Sequence, residues 1–433
     1  MDDLTGQINP NIGAVRREAA FIFIFATVLL DMLAVGIIIP VLPKLVFDFL
    51  GGDTEETAKI LGVFGSAWAL MQFFFSPLQG ALSDRFGRRS MILLSNFGSG
   101  LDYVLMALAP TLGWLFVGRV ISGITAASIS TAYAYVADVT PPDKRAARFG
   151  LLGAAFGAGF VLGPALGGLA GTISPRLPFW IAAGLSLANA FYGLAILPES
   201  LPHARRARFL WRRANPFGAL ALLRSHAVLF RLASVNFLGN LAHAALPAIS
   251  VLYMMYRYDW NESVVGLTLA AVGGASIVVQ GVVVGPAIRW IGERGALMLG
   301  LLFGVAAFLI FALAPNGILF WIGIPVMALW GLEGPACMAL MSRLVGASEQ
   351  GQLQGANASV TGIANLFGPS LYTLTFAFAI GGGRALHLPG APFLIAALLL
   401  AAAAITAWLT TREMGSDDQA GRENSNSLPA RKS

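Results

Sequence analysis

The ten residues Gly80-Ala-Leu-Ser-Asp84-Arg85-Phe-Gly87-Arg88-Arg89 form a polar, cationic stretch in a chain that is otherwise mostly apolar. The stretch carries an acid, several arginines and two glycines, and the long runs on both sides of it are mainly apolar. A soluble core does not account for such a pattern. Because a membrane helix needs about 20 mainly apolar residues, we predict that this stretch is a loop between two membrane helices.

The composition of the whole chain supports the same class. Of 433 residues, 57% are hydrophobic and 12% are charged, with a mean hydropathy of +0.73, whereas soluble domains have about 25% charged residues. Long apolar runs recur along the chain, unlike the short alternating segments of outer-membrane barrels. The single cysteine, Cys337, excludes a disulfide framework and a metal site built from cysteines. We therefore predict an all-α integral membrane protein without a metal site.

Twelve apolar runs are predicted to be transmembrane helices. They are residues 19–43, 60–79, 91–110, 112–136, 150–171, 179–197, 230–252, 264–284, 295–314, 318–341, 356–380 and 391–409. The first run is too long for a signal peptide and is predicted to remain as a helix.

The positive charges indicate topology rather than a nucleic-acid partner. The net charge is +6, and most Lys and Arg residues lie in one set of loops, including Gly80–Arg89 and the arginine-rich segment 198–231. Loops rich in Lys and Arg stay in the cytoplasm. With an even number of helices, both termini are therefore predicted to be cytoplasmic.

Glycines and prolines recur 205 positions apart, which predicts two related six-helix halves. The pairs are Gly80/Gly285, Gly87/Gly292, Gly150/Gly355, Gly163/Gly368 and Pro164/Pro369. The predicted halves are 19–197 and 230–411, with a cytoplasmic N-terminus at 1–18, a basic cytoplasmic linker at 198–229 and a disordered cytoplasmic tail at 412–433. Parallel repeats are typical of transporters whose halves rock about a central cavity. Because one chain supplies both halves, a monomer suffices.

Ionisable residues inside the predicted helices are candidates for proton and substrate coupling, because charges within a membrane face a cavity or a partner. Asp31 lies in the first helix, Asp102 in the third, Arg119 in the fourth, and Glu333 in the tenth between Gly and Pro residues that loosen a helix. Arg119 is expected to pair with Asp31, Asp102 or backbone carbonyls. The alternatives are structural, namely a hydrogen bond between helices for each aspartate and a static ion pair for Arg119.

Uncharged polar residues are weaker candidates for lining a cavity. They are Gln72, Asn236, Asn240, His243, Gln280 and Asn365. A lone histidine such as His243 more often hydrogen-bonds a neighbouring helix than binds a ligand.

The predicted fifth helix combines closely spaced glycines with a proline. The residues are Gly159, Gly163, Pro164, Gly167 and Gly168. A spacing of four places glycines on one helix face, where another backbone can approach closely. We predict that these glycines serve static helix packing. We also predict that they form a smooth face at the boundary between the halves, which lets the halves rock and prevents proton leak.

The loop quoted at the start is predicted to be a cytoplasmic gate. Its candidate residues are Gly80, Asp84, Arg85, Gly87, Arg88 and Arg89. Asp84 is expected to act as a lock held by Arg145 or Arg148, formed in one conformation only. The alternative is a solvated loop charge.

The spacing Gly-x-Leu-x-Asp-Arg-x-Gly-Arg-Arg resembles the loop between helices 2 and 3 of the major facilitator superfamily. Segments around Asp31, Leu101-Asp102-Tyr103, Gly118-Arg119 and Gly163-Pro164-x-x-Gly-Gly168 are similar to those of its drug/proton antiporters and, among these, of the tetracycline exporters. The resemblance implies the major facilitator fold, coupling roles for Asp31, Asp102 and Arg119, and a gating role for Asp84 with Arg88.

The resemblance is weaker in the second half. Tetracycline exporters have a histidine in helix 8 and an aspartate in helix 9, where this chain has Ser276 and Gly304. Our hypothesis is that Glu333 replaces the missing carboxylate.

The sequence thus predicts a transporter of a bacterial inner membrane that exports an amphipathic, tetracycline-like drug, free or as a divalent-metal chelate. Export would be driven by the proton gradient, with no cofactor. A multidrug or metabolite transporter of the same fold, including an uptake carrier, is the alternative. A membrane enzyme or receptor is disfavoured, since the chain has four histidines, no phosphate-binding loop and no large extramembrane domain.

Overall fold

The computed structural model describes residues 10–125, 128–141, 144–201, 206, 218–224, 227–346 and 349–426. Over these ranges the regular structure is helical, without a strand. The α-helices are α1 Pro10–Ile38, α2 Leu42–Phe49, α3 Thr54–Phe86, α4 Arg88–Leu108, α5 Leu112–Thr125, α6 Ser128–Val139, α7 Arg145–Ile173, α8 Leu177–Ile196, α9 Ala227–His243, α10 Ala245–Tyr258, α11 Glu262–Val278, α12 Val284–Leu313, α13 Gly317–Leu329, α14 Glu333–Arg343, α15 Gln350–Ile380 and α16 Ala391–Asn426.

The predicted membrane spans lie on these helices, but the stretch Gly80–Arg89 is not the loop that the sequence predicts. Helix α3 continues to Phe86 and α4 begins at Arg88, because Gly87 alone, with φ 106°, supplies the break. In the described ranges, 10 helical stretches are long and apolar enough to cross a membrane, and Leu112–Thr125 is a shorter apolar helix. The stretch Glu262–Leu313 contains two predicted spans, because Gly292 interrupts it with non-helical backbone angles (φ 73°, ψ 170°). The fourth predicted span is covered by α5 and α6. The prediction of an all-α protein with twelve spans is confirmed.

Prolines and glycines explain the interruptions within single spans. Residues 330–332 form a 3-10 turn just before Glu333. Pro335 has no N–H, so it cannot bond the carbonyl of Gly331 four residues earlier, and the helix loosens as the sequence predicts. A second irregular segment, the π-helical turn Val279–Val283, separates α11 from α12.

The internal repeat has a conformational counterpart. Gly87 ends α3 with φ 106°, and Gly292, 205 positions later, has φ 73°. Both values lie in the region that favours glycine. The two repeated prolines, Pro164 and Pro369, both lie inside helices, α7 and α15.

The chain divides into two compact units. The first contains residues 1–216 and 251–274, and the second contains 217–250 and 275–433. The predicted halves, 19–197 and 230–411, stay a prediction, and residues 251–274 pack with the first unit. Most of the predicted linker, 198–229, lies outside the described residues.

The last helix is longer than the sequence predicts. The predicted span ends at residue 409, but α16 continues to Asn426 and includes part of the tail predicted to be disordered. Extending a helix that has already formed costs far less than starting one, so polar residues can prolong it. The end of the tail, 427–433, lies outside the described residues.

Candidate transport site

Asp31 lies in a buried hydrogen-bond network within the first unit. Asn189 Nδ2 of α8 donates to Asp31 Oδ1 at 3.3 Å, and Thr27 Oγ1 donates to Asn189 Oδ1 at 3.1 Å. With its amide oriented to satisfy both neighbours, Asn96 of α4 donates to both Asp31 carboxylate oxygens at 3.3 Å. Helices α4 and α8 therefore both contact this carboxyl group of α1, which is 8% exposed. The sequence analysis did not identify Asn189, although an amide within an apolar run could have pointed to it.

Asp102 and Arg119 form a loose pair in the same unit. Arg119 Nη2 lies 3.7 Å from Asp102 Oδ2 and 3.3 Å from Met106 Sδ. The side chain of Asp102 is fully buried, and Ser122 is a polar neighbour of its carboxyl group. Gly118 leaves room for this carboxyl group, since a Cβ there would lie 2.6 Å from Asp102 Oδ1. Of the partners expected for Arg119, the structure brings Asp102 next to it.

Glu333 lies in the second unit and is also buried, with 8% exposure. Its Oε1 has no hydrogen-bond partner among the described residues. The carboxyl group faces the backbone of α9, where a Cβ at Gly239 would lie 3.1 Å from Oε1. A buried carboxylate with an oxygen that accepts no hydrogen bond is costly, so this site is suited to a carboxyl group that binds and releases a proton.

Gly300 and Gly304 explain the position of Glu333. They lie one turn apart on α12. A Cβ at Gly300 would lie 2.6 Å from Glu333 N, and a Cβ at Gly304 would lie 3.0 Å from Trp330 Cγ. Glu333 therefore packs against Gly300, one helical turn before Gly304.

Four polar residues form an amide stripe in the second unit: Asn236 and Asn240 on α9, and Asn357 and Thr361 on α15. Asn236 Nδ2 donates to Asn357 Oδ1 at 3.1 Å, and Thr361 Oγ1 donates to Asn240 Oδ1 at 3.1 Å. Asn240 Nδ2 donates to Asn236 Oδ1 at 2.9 Å. The stripe joins two of the predicted cavity residues, Asn236 and Asn240, to two that the sequence analysis missed.

The remaining polar candidates lie elsewhere. Gln72 is half-buried on α3, and Asn365 is half-buried on α15, one turn beyond Thr361. Gln280 is exposed in the π-helical turn. The ring of His243 packs against Trp330, with centroids 5.6 Å apart. The structure does not gather these residues into one cluster within either unit.

The predicted gate is built around Arg88 rather than Asp84. Arg88 Nη1 lies 2.6 Å from Asp84 Oδ1, Arg88 Nε lies 3.2 Å from Asp138 Oδ2, and its backbone N–H donates to Glu199 Oε1 at 2.9 Å. Arg89 Nη2 donates to Leu194 O at 2.7 Å. Gly87 leaves room for the Glu199 carboxylate. Asp138 and Glu199 were not predicted.

The other residues of the gate have separate contacts. Arg85 lies over the ring of Phe86, and Gly80 has open space around its Cα. The expected partners of Asp84 contact other groups in the structure: Arg145 Nε donates to Thr140 O at 3.1 Å, and the Arg148 guanidinium lies 4.1 Å from the ring centre of Phe21. Asp84 instead forms its salt bridge with Arg88, four residues later in the chain.

The second unit contains the same ion pair with its charges reversed. Arg343 Nη2 lies 2.6 Å from Glu293 Oε1. These residues lie 205 positions after Asp138 and Arg88, and Arg289 likewise corresponds to Asp84. In the second unit Glu293 begins a helix and Arg343 ends one, which suits the helix dipole. In the first unit Arg88 begins α4, and Asp84 and Asp138 lie in the last turns of α3 and α6. A cation at the start of a helix and an anion at its end are both unfavourable in the field of the helix dipole.

The glycines of α7 contact two different helices. A Cβ at Gly159 would lie 2.7 Å from Met32 Cβ, and one at Gly163 would lie 2.6 Å from Gly36 Cα. Gly167 packs on the backbone of Ile37. This face therefore lies on α1, which belongs to the same predicted half. Gly168 contacts α11 near Gly266, in the other predicted half, and Pro164 contacts both helices, with its ring at Gly36 and its carbonyl oxygen at Gly266. The role of this helix at a boundary between rocking halves stays a prediction.

Comparison with known proteins decides the family. The model of the Major Facilitator Superfamily matches residues 24–369. The chain belongs to the Major Facilitator Superfamily. It is therefore a multi-pass membrane transporter, not an enzyme, and the major facilitator fold predicted from the sequence is confirmed.

Several named proteins are similar to this chain over most of its length. The tetracycline resistance protein, class C, of Escherichia coli is 38% identical over 84% of this chain and 91% of its own length. The class B protein of Escherichia coli is 35% identical over 80% of this chain and 86% of its own. The human hippocampus abundant transcript 1 protein is 31% identical over 74% and 66%, respectively.

Solved structures of the superfamily share the fold. The human organic anion transporter MFSD10 has a TM-score of 0.66 and 24% identity, covering 90% of this chain and 99% of its own. The nucleoside transporter NupG has a TM-score of 0.73 and 14% identity, with the same coverage.

Proposed function

We propose that this superfamily member exports a tetracycline-like amphipathic drug across a bacterial inner membrane in exchange for protons. The cargo is free or chelated to a divalent metal, one chain is the working unit, and both termini are cytoplasmic. The relatives named as tetracycline resistance proteins support the substrate class, because the similarity spans most of both chains.

The observation that carries the proposal is the loose contact between Asp102 and Arg119. At 3.7 Å the two charges attract each other without a hydrogen bond, so the pair can separate at low cost compared with a tight, bidentate one. A proton that binds Asp102 neutralises its carboxylate and releases Arg119. The guanidinium is then free to bind an anionic or enolate group, which links proton uptake to the state of the cargo.

Asp31 and Glu333 have complementary parts in this proposal. Asp31 is held by neutral amides, which stabilise a carboxylate that faces the cargo. Glu333, lacking a hydrogen bond at Oε1, is the proton-binding carboxyl of the second unit. Its packing one turn from Gly304 supports the hypothesis that it replaces the aspartate of the tetracycline exporters.

The test is tetracycline-dependent proton release in inverted membrane vesicles, measured with a pH-sensitive dye for the wild type, Asp102→Asn and Glu333→Gln. We expect exchange by the wild type and its loss in both variants. The control is Asp48→Asn, because Asp48 is an exposed acid paired with Lys44, and it should exchange like the wild type. Wild-type vesicles that release no protons would contradict the proposed function. Normal exchange by Glu333→Gln would contradict only the role of Glu333.

A further inference from the structure

The amide stripe continues into a cluster of donors near the start of α15. Asn357 Nδ2 lies 3.3 Å from Met338 Sδ, and Gln354 Nε2 lies 3.6 Å from the same sulfur. Asn357 also accepts the hydrogen bond of Asn236, so it joins the cluster to the stripe. Two side-chain amides from one helix thus converge on a single thioether of α14.

A thioether is a poor partner for two amide donors. Sulfur in methionine is a weak acceptor, whereas an amide N–H gains most from an oxygen acceptor, particularly away from water. Gln354 is exposed and Met338 is half-buried, so a ligand can reach the donors. Methionine is flexible and polarisable, which allows its side chain to move aside and then to pack against an apolar ring.

We propose that Gln354, Asn357 and Met338 form a binding site for the oxygen-rich edge of the cargo. The ligand class is an amphipathic compound with neighbouring carbonyl, enol or hydroxyl oxygens, which would replace the sulfur as acceptor. Thr361 and Asn240 extend the polar surface along the next turn. The inference rests on the proposed function and adds to it the part of the second unit that recognises the drug.

The position of Gln354 and Asn357 along α15 indicates that this site binds the cargo as it enters from the cytoplasm. Gln354 and Asn357 lie in the first turns of α15, next to the loop that follows α14. In the proposed orientation that loop is cytoplasmic, so the donors face the compartment from which the drug is exported. The site is uncharged, which suits the neutral oxygen atoms of an amphipathic ligand.

The experiment measures tetracycline binding to the purified full-length protein in lipid nanodiscs by equilibrium dialysis. Asn357→Asp keeps the acceptor for Asn236 and removes the donor, and Gln354→Leu removes an exposed donor without adding charge. Each is expected to raise the Kd about three- to tenfold, the effect of one hydrogen bond.

The matched control is Thr375→Ala on the same helix, where the hydroxyl donates to Leu371 O at 2.7 Å and lies outside the cluster. Its Kd should equal that of the wild type. If the wild type binds tetracycline and both donor variants bind it equally well, the inference is wrong and the proposed function stands. If the wild type does not bind tetracycline, the proposed function fails and the inference fails with it.

Discussion

The reversed ion pairs of the two units lead to a prediction about helix dipoles. Glu293 follows the glycine break and begins the second helical part of α12, and Arg343 is in the last turn of α14. Each charge is therefore stabilised by the dipole of its own helix as well as by the other charge. Exchanging them, as Glu293→Arg with Arg343→Glu, keeps an ion pair but opposes both dipoles.

The magnitude follows from the exposure of the two groups. A charge at a helix end contributes about 0.3–1 kcal/mol, so reversing both changes the free energy of unfolding by about 1–4 kcal/mol before screening. Arg343 is 70% exposed, which favours the lower end, about 1–2 kcal/mol. Neutralising the pair, as Glu293→Gln with Arg343→Gln, removes both dipole contacts, about 0.5–1 kcal/mol, and an ion pair that contributes up to about 1 kcal/mol, so the loss is about 0.5–2 kcal/mol.

The assay is thermal unfolding of the purified protein in detergent at low and high ionic strength. We expect both variants to be less stable than the wild type, with smaller differences at high salt because the charges are screened. If the ion pair alone mattered, the exchanged pair would match the wild type. An exchanged pair as stable as the wild type would therefore refute the dipole argument.

Three further substitutions test the packing around the site. Gly300→Ala places a Cβ 2.6 Å from a backbone nitrogen and should destabilise the protein by about 1–3 kcal/mol and slow transport, whereas Gly334→Ala, with open space around it, should do neither in unfolding and vesicle assays. Gly163→Ala should likewise impair folding or transport, because its Cβ would lie 2.6 Å from Gly36 Cα. Gly153→Ala, where a Cβ has open space, should do neither, and equal effects of the two substitutions would contradict the packing argument. Asn189→Ala should lower stability by about 1–3 kcal/mol by removing a buried partner of the first-helix aspartate, and unchanged unfolding would show that this hydrogen bond contributes little.

Much of the fold could be predicted because the membrane imposes a strong local rule. Every span must satisfy its own backbone hydrogen bonds and present apolar side chains, so run length alone located the helices. The offset of 205 residues identified the repeat, since glycines such as Gly87 and Gly292 are needed wherever the backbone adopts a positive φ. The loosened helix at Glu333 followed from the missing N–H of Pro335.

The sequence by itself determined the class and the spans, and it predicted the repeat and the ionisable residues within those spans. Only the tertiary structure decided their partners: Asn189 bonds Asp31 across 158 positions, and Arg88 pairs with Asp138 across 50. Helical periodicity gives the face of a side chain but not the helix that packs against it, because packing depends on the shapes of both surfaces. For that reason, Glu333 could be predicted as a candidate from its position alone, whereas its contacts with Gly239 and Gly300 required the packed helices.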